Sequence, residues 1–268
     1  MRSKLVEGAW AVVTGASSGL GRDFALQLAA IGANVVLVAR REERLRDVAA
    51  AIESRYGRRT LVVCADLSTD AGVEHLVQEI DRERITPLVL VNNAGFGYHG
   101  TFLSADWKTE RSMLELDIVA LVNLTRRVAA IMVDAGAGYI LQVASIAAYQ
   151  SSPSYASYAA AKSFVLNYGE AIAHELRGTG VSCTVLSPGV TSTEFLGVAG
   201  AKLTPFHRIT MMTSEKVVRI GLRAMLRRRS AVVAGVANRF LVASNRLIPR
   251  AWVPAIVNWL MQGDRVRR

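Results

Sequence analysis

Short runs that are apolar throughout recur along this chain, with helix-length segments between them. Ala9 to Val13, Asn34 to Val38, Leu61 to Cys64 and Leu88 to Val91 lack the polar alternation of a half-solvated strand, and Tyr139 to Val143 and Val181 to Leu186 read as further buried strands although Gln142, Ser182 and Thr184 interrupt them. A strand apolar on both sides must be buried on both faces, which a parallel sheet covered by helices provides. The intervening segments, Gly19 to Ile31, Glu42 to Tyr56, Ala71 to Glu83, Thr109 to Ala135 and Ser157 to Leu176, are long enough to be helical crossovers. The pattern predicts an α/β fold built on one doubly wound parallel sheet.

At 268 residues the chain can bury a large core, and no Pro/Ser/Gly-rich linker divides it, so a single domain is expected. Its two cysteines, Cys64 and Cys183, lie in apolar runs and read as small core residues of a reducing, cytoplasmic setting. The first eight residues lack the apolar core of a signal peptide. No run reaches the roughly 18 apolar residues of a spanning helix.

Chemistry-bearing residues cluster where the apolar runs end. After the first comes Thr14-Gly15-Ala16-Ser17-Ser18-Gly19-Leu20-Gly21, whose glycines allow a tight turn and close approach of a pyrophosphate to a helix N-terminus. Asn92-Asn93-Ala94-Gly95 and Pro188-Gly189 follow two later runs. Tyr158 and Lys162 stand four residues apart in a helix-forming stretch, hence on one helical face. Ser145 precedes Tyr158 by thirteen positions, at the end of a strand-like run. A phenol titrates near 10, so it is a useful acid or base at neutral pH only if a cation stabilises its anion. Tyr-x-x-x-Lys alone also describes a surface helix whose aromatic ring is covered by a lysine stem.

Together these four motifs, in this order, resemble the short-chain dehydrogenase/reductase family from about Ala9 to Thr193. The resemblance implies a Rossmann-like sheet and makes Ser145, Tyr158 and Lys162 the catalytic serine, tyrosine and lysine. It also places Gly15, Ser17, Ser18, Gly19, Gly21, Asn93, Ala94 and Gly95 at a nicotinamide dinucleotide. Asp66 and Leu67 are expected on the adenine side, and Pro188, Gly189, Thr191 and Thr193 on the nicotinamide side. The implied chemistry is hydride transfer between a carbonyl and an alcohol. Ser145 holds the oxygen, Tyr158 exchanges the proton, and Lys162 makes the tyrosinate less costly. Residues 9–193 form the cofactor-binding and catalytic core and 194–214 a substrate lid.

Cofactor choice is read at the end of the second strand, where an NAD site usually has a carboxylate for the ribose 2'-hydroxyl. Here Leu37-Val38-Ala39-Arg40-Arg41 has no acid, and the Arg40 guanidinium suits a 2'-phosphate. NADP(H) is therefore predicted, with NAD(H) the alternative if Arg40 and Arg41 simply open a solvated helix. One position departs from the family pattern. Its fourth catalytic residue is an asparagine, and the matching position here is Asp117, whose charge could pair with Lys162 and compete with the tyrosinate.

Beyond Thr193 the chain carries Phe195, Leu196, Leu203, Phe206, Ile209, Met211 and Met212. They either line a site for a hydrophobic carbonyl or alcohol, such as a fatty acyl, steroid, retinoid or polyketide-like compound, or pack the lid on the sheet. His99 and His207 show no metal-ligand spacing, and no metal is expected. Much of the net charge of +10 falls after Lys216, where Asp264 is the only acid. Residues 238–268 read as a basic, amphipathic helical extension. It could lie on an anionic membrane surface, cover the substrate side, or form a subunit contact. Without a nucleic-acid motif, charge alone does not argue for nucleic acid. The family's habit of pairing through long central helices makes a homodimer or homotetramer the expected state. A non-catalytic NADP(H) sensor or scaffold on the same fold is the rival reading.

Overall fold

Strands β1 (Trp10–Thr14), β2 (Asn34–Ala39), β3 (Thr60–Cys64), β4 (Pro87–Asn92), β5 (Gly138–Val143), β6 (Val181–Ser187) and β7 (Ala231–Val233) form one parallel sheet in the computed structural model, which describes residues 6–191 and 211–262. Their spatial order is β3-β2-β1-β4-β5-β6-β7. The order reverses between β1 and β4, so their carboxyl ends open a crevice there.

The two-sided apolarity of the strands is explained by two cores. Val13, Val91 and Leu141 point to one face, where Phe24, Leu28 and Leu222 pack, while Val12, Leu90 and Ile140 point to the other, with Leu76, Leu124 and Met132. Helices α1 (Gly19–Ala30), α2 (Glu42–Tyr56) and, later in the chain, Ser214–Met225 cover the first face. Helix α3 (Asp70–Arg82) and the long connection before β5 help cover the second.

That connection differs from the single helix expected over 109–135. It comprises α4 (Trp107–Leu114), a π-helical segment over Glu115–Ala120, and α5 (Leu121–Asp134). A π segment widens the helix by one residue and re-aims its side chains, and the two buried residues it carries are Asp117 and Ala120. Helix α6 (Ala156–Glu175) follows β5, and α7 is the Ser214–Met225 helix.

Strand β7 was not apparent in the sequence, because Ala-Val-Val is too short to show a period and follows Arg227-Arg228-Arg229. Cys183 is buried, as expected, but Cys64 is exposed. Cys64 ends β3, an edge strand with a neighbour on one side only, and its thiol lies 3.4 Å from the Arg40 carbonyl. The expected lid lies outside the described residues except at 211–214, where Met212 bridges back to Thr191. The C-terminal extension forms α8 (Val236–Ser244) and α9 (Val253–Gln262). No helix among the described residues is long and apolar enough to cross a membrane.

Candidate active site

The glycine turn is built to bring backbone against backbone. Gly15 has φ +67°, a left-handed conformation that favours glycine, and a Cβ there would lie 2.8 Å from Asn93 Nδ2. A Cβ on Gly21 would run into the Gly15 carbonyl oxygen, so α1 can start close to the turn only without a side chain at that position. Thr14 ties the turn to the loop after β4. Its Oγ1 accepts from the amides of Asn93 and Ala94, both at 2.9 Å, and Asn93 Nδ2 donates to the Thr14 carbonyl at 2.9 Å. Asn93 therefore lines the crevice while its side chain braces β1, a structural task that its motif did not reveal.

At the far end of the crevice stand two arginines. Arg40, expected there, makes a long contact of 3.9 Å with Asp66, both side chains being well exposed. Such a pair holds little energy in water and leaves the guanidinium available to a ligand phosphate. Arg41 is the residue the sequence reading missed. Its guanidinium donates to Ser17 Oγ at 3.1 Å and to Ser18 Oγ at 2.7 Å, which lays it across the glycine turn. The adjacent Arg-Arg pair was the only signal, and which member turns inward depends on the entry into α2. Asp66 Oδ1 accepts from the Ser68 amide and hydroxyl, at 3.0 and 2.8 Å, which fixes the carboxylate beside Leu67 at the crevice wall.

The trio assembles at the other end. Ser145 follows β5 and caps a 3-10 turn over Ile146–Tyr149, its Oγ accepting from the Ala147 amide at 3.1 Å. Tyr158 and Lys162 are buried on one face of α6, with Lys162 Nζ 5.7 Å from the centre of the Tyr158 ring. Ser145 also hydrogen-bonds Tyr158. Tyr155, one turn earlier, packs edge-on against Tyr158 with ring centres 6.3 Å apart and meets the His99 ring at a tilt with centres 4.9 Å apart.

Behind the trio lies Asp117. Its Oδ2 is 3.1 Å from Lys162 Nζ, and Lys162 also donates to the Val143 carbonyl at 3.4 Å. Gly95 makes room for this pair, since a Cβ there would strike Asp117 Oδ1 and come 3.1 Å from Lys162 Nζ. Burial pushes the Asp117 carboxyl above the ordinary carboxylate range, against the pull of Lys162. Burial opposes the Lys162 ammonium, but Asp117, aided by Tyr158, outweighs it and holds the amine charged. Burial raises the Tyr158 phenol; Lys162 and Ser145 oppose this, and Asp117 adds to it. The net direction is upward, so in the protein alone the phenol keeps its proton at neutral pH.

These two ends face one cavity of about 440 Å³ at the switch point between β1 and β4. Ser17, Ser18, Gly19, Arg40, Ala94, Gly95, Ser145, Tyr158, Lys162, Pro188, Gly189 and Thr191 line it, whereas Gly21 and Asp117 support it from behind. Thr193 lies outside the described residues. The C-terminal extension closes the end of the cavity at Pro188 and Gly189. A Cβ on Gly189 would collide with buried Asn238 of α8, so this glycine lets the helix dock. Gln150 stands between the main cavity and an apolar crevice of about 140 Å³ lined by Leu241, Ile248, Val253 and Val257, and its Oε1 accepts from Asn245 Nδ2 at 2.7 Å.

Comparisons with known proteins agree with this architecture. Residues 9–204 match the family model for short chain dehydrogenases. Mouse 17-beta-hydroxysteroid dehydrogenase type 3 is 31% identical over 235 residues, covering 87% of this chain and 76% of its own length. A very-long-chain 3-oxoacyl-CoA reductase of Meyerozyma guilliermondii is 38% identical over 198 residues, 69% of this chain; the match spans 58% of the reductase. A solved 7beta-hydroxysteroid dehydrogenase structure superposes with TM-score 0.86 at 27% identity, covering 96% of this chain and 100% of that one. With its glycine turn, switch-point cavity and Ser-Tyr-Lys cluster in one parallel sheet, the chain belongs to the short chain dehydrogenase family.

Proposed function

We propose that this protein is an NADP(H)-dependent oxidoreductase that interconverts a carbonyl and an alcohol on a hydrophobic substrate. The observation that carries the reading is Ser145, Tyr158 and Lys162 lining the same cavity as the glycine turn. The residues fit a nicotinamide dinucleotide. Gly15 and Gly21 leave a cradle that a Cβ at either position would disrupt, and Arg40 and Arg41 supply positive charge where an NAD site places an acid. When bound, the nicotinamide supplies hydride to the carbonyl carbon, or takes it from the alcohol.

The protein's own groups manage the oxygen and its proton. Ser145 Oγ hydrogen-bonds the substrate oxygen and orients it toward Tyr158. In reduction the Tyr158 hydroxyl gives its proton to the developing alkoxide, leaving a tyrosinate; in oxidation the tyrosinate takes the proton back. The Lys162 ammonium lies beside that phenolate and offsets its charge, and Asp117 keeps the ammonium protonated while tempering its pull. With the phenol raised by burial, the site rests with Tyr158 protonated, which is the state that carbonyl reduction starts from.

Support for an apolar substrate comes from the site and from the relatives. Tyr155 offers an aromatic face beside Tyr158, and the aliphatic crevice adjoins the main cavity at Gln150. The matched proteins are named for steroids and long-chain acyl-CoA, which marks the size and polarity of compound to try first. The test follows NADPH consumption with a panel of steroid ketones and 3-oxoacyl thioesters. Tyr158→Phe is expected to lower turnover by roughly 100-fold or more while leaving nucleotide binding in place. Tight nucleotide binding with no consumption across the panel would instead favour a non-catalytic sensor.

A further inference from the structure

The C-terminal helix pair is docked, yet its outer surface is apolar. On the inner side Val253 and Val257 are buried, and Asn245 is tied to Gln150 at 2.7 Å. On the outer side Phe240, Leu247, Trp252 and Trp259 are 74%, 86%, 65% and 72% exposed. Helix α9, Val-Pro-Ala-Ile-Val-Asn-Trp-Leu-Met-Gln, has no charged residue on any face. A surface helix of a soluble protein normally turns a charged or polar face outward, so an uncharged one with exposed indole and aliphatic side chains needs cover on its second side as well.

Charge identifies what supplies the cover. Arg239, Arg246 and Arg250 are exposed on α8 and in the turn that follows it, and no acidic residue occurs between Glu215 and Asp264. A second copy meeting this patch about a two-fold axis would set arginine-rich surfaces against each other with no carboxylate between them. An anionic bilayer meets both requirements: its headgroups pair with the guanidiniums and its interface accepts the indole rings. No helix among the described residues is long enough to cross, so the pair lies along the surface. We propose that α8 and α9 form a docking face for anionic membranes, with Phe240, Leu247, Trp252 and Trp259 inserted at the level of the headgroups and Arg239, Arg246 and Arg250 binding lipid phosphates.

The full-length protein is to be floated with phosphatidylcholine vesicles, with and without phosphatidylglycerol. It is expected to float with the anionic vesicles only, and added salt should release it. Replacing all three arginines by glutamine should weaken the binding about a hundredfold, at about fivefold per charge. Tryptophan emission should shift to the blue on adding anionic vesicles, and Trp252→Phe with Trp259→Phe should abolish the shift, since Trp10 and Trp107 are the only other tryptophans. Unchanged thermal unfolding of the variants serves as the folding control. Vesicle binding needs neither nucleotide nor turnover, so its outcome is separate from that of the redox assay. Failure to float, unaltered binding by the arginine variant, or a dimer that Trp252→Ser with Trp259→Ser converts to monomer would each overturn the proposal.

Discussion

Replacing Asp117 by asparagine probes the most unusual feature of the site. The two side chains have nearly the same shape, so the space that Gly95 leaves for the pair stays filled and only the charge is removed. At 3.1 Å from Lys162, the carboxylate attracts the ammonium by about 5 kcal/mol at an effective dielectric of ~20. Against this stands its own desolvation, which is large enough to raise its titration despite the lysine. The net loss of stability is that of leaving the Lys162 ammonium buried without its partner, about 3–5 kcal/mol, or roughly 6–20 °C in Tm for a chain of this length. The kinetic effect has the opposite sign. Asp117 raises the Tyr158 phenol, so without it Lys162 acts on the phenol alone and the phenol titrates at lower pH. For alcohol oxidation, which needs the tyrosinate, the acid-side limb of the kcat/KM profile should move to lower pH, raising the rate at pH values below that limb. Reduction should persist. The assay is a pH profile in both directions, paired with thermal unfolding of each protein. An unmoved profile, or complete loss of activity in a folded Asp117→Asn variant, would show that the carboxylate takes its own part in the reaction and refute the argument.

Arg40→Ala and Arg41→Ala should each lower kcat/KM for NADPH by roughly tenfold to a hundredfold, the range of a lost charge-assisted hydrogen bond, while NADH changes little. Equal losses for both nucleotides would remove the arginines from the choice of cofactor. Cys64 is exposed and Cys183 buried, with its thiol pushed up to about 12 by burial, so a thiol reagent near pH 8 should modify one cysteine in the folded protein and two after denaturation. Two native thiols reacting at similar rates would contradict the buried position. Cys183 and Tyr155, the latter also pushed up to about 12, chiefly by burial, are held neutral by the fold, so native protein binds more protons than unfolded chain above their ordinary values. Their contribution to stability is whole below about pH 9, and the urea midpoint should fall progressively between about pH 9 and 12; a midpoint flat across that window would show that both groups ionise without penalty.

The central strands were legible because burial on both faces leaves no polar register in Val35 to Val38 or Leu88 to Val91, and only a helix-covered parallel sheet satisfies such runs. The glycine turn and the Tyr158-Lys162 pair were equally plain, since a left-handed φ and an i, i+4 face are local properties of the backbone. Other features depend on what lies across space. Cys64 looks like a core residue until β3 is found at the sheet edge. Strand β7 is three residues long and exists because β6 leaves an open edge for it.

The site divides along the same line. Sequence by itself determined the parallel sheet, the glycine turn and the shared helical face of Tyr158 and Lys162, because periodicity, backbone conformation and side-chain spacing are carried by neighbouring residues. Tertiary structure alone decided that Asp117 is buried against Lys162 through a π segment, that Arg41 lies over the turn beside Arg40, and that Asn238 closes the cavity behind Gly189. These contacts join residues tens of positions apart, and their distances and burial, which set the charge balance, arise only when the elements pack.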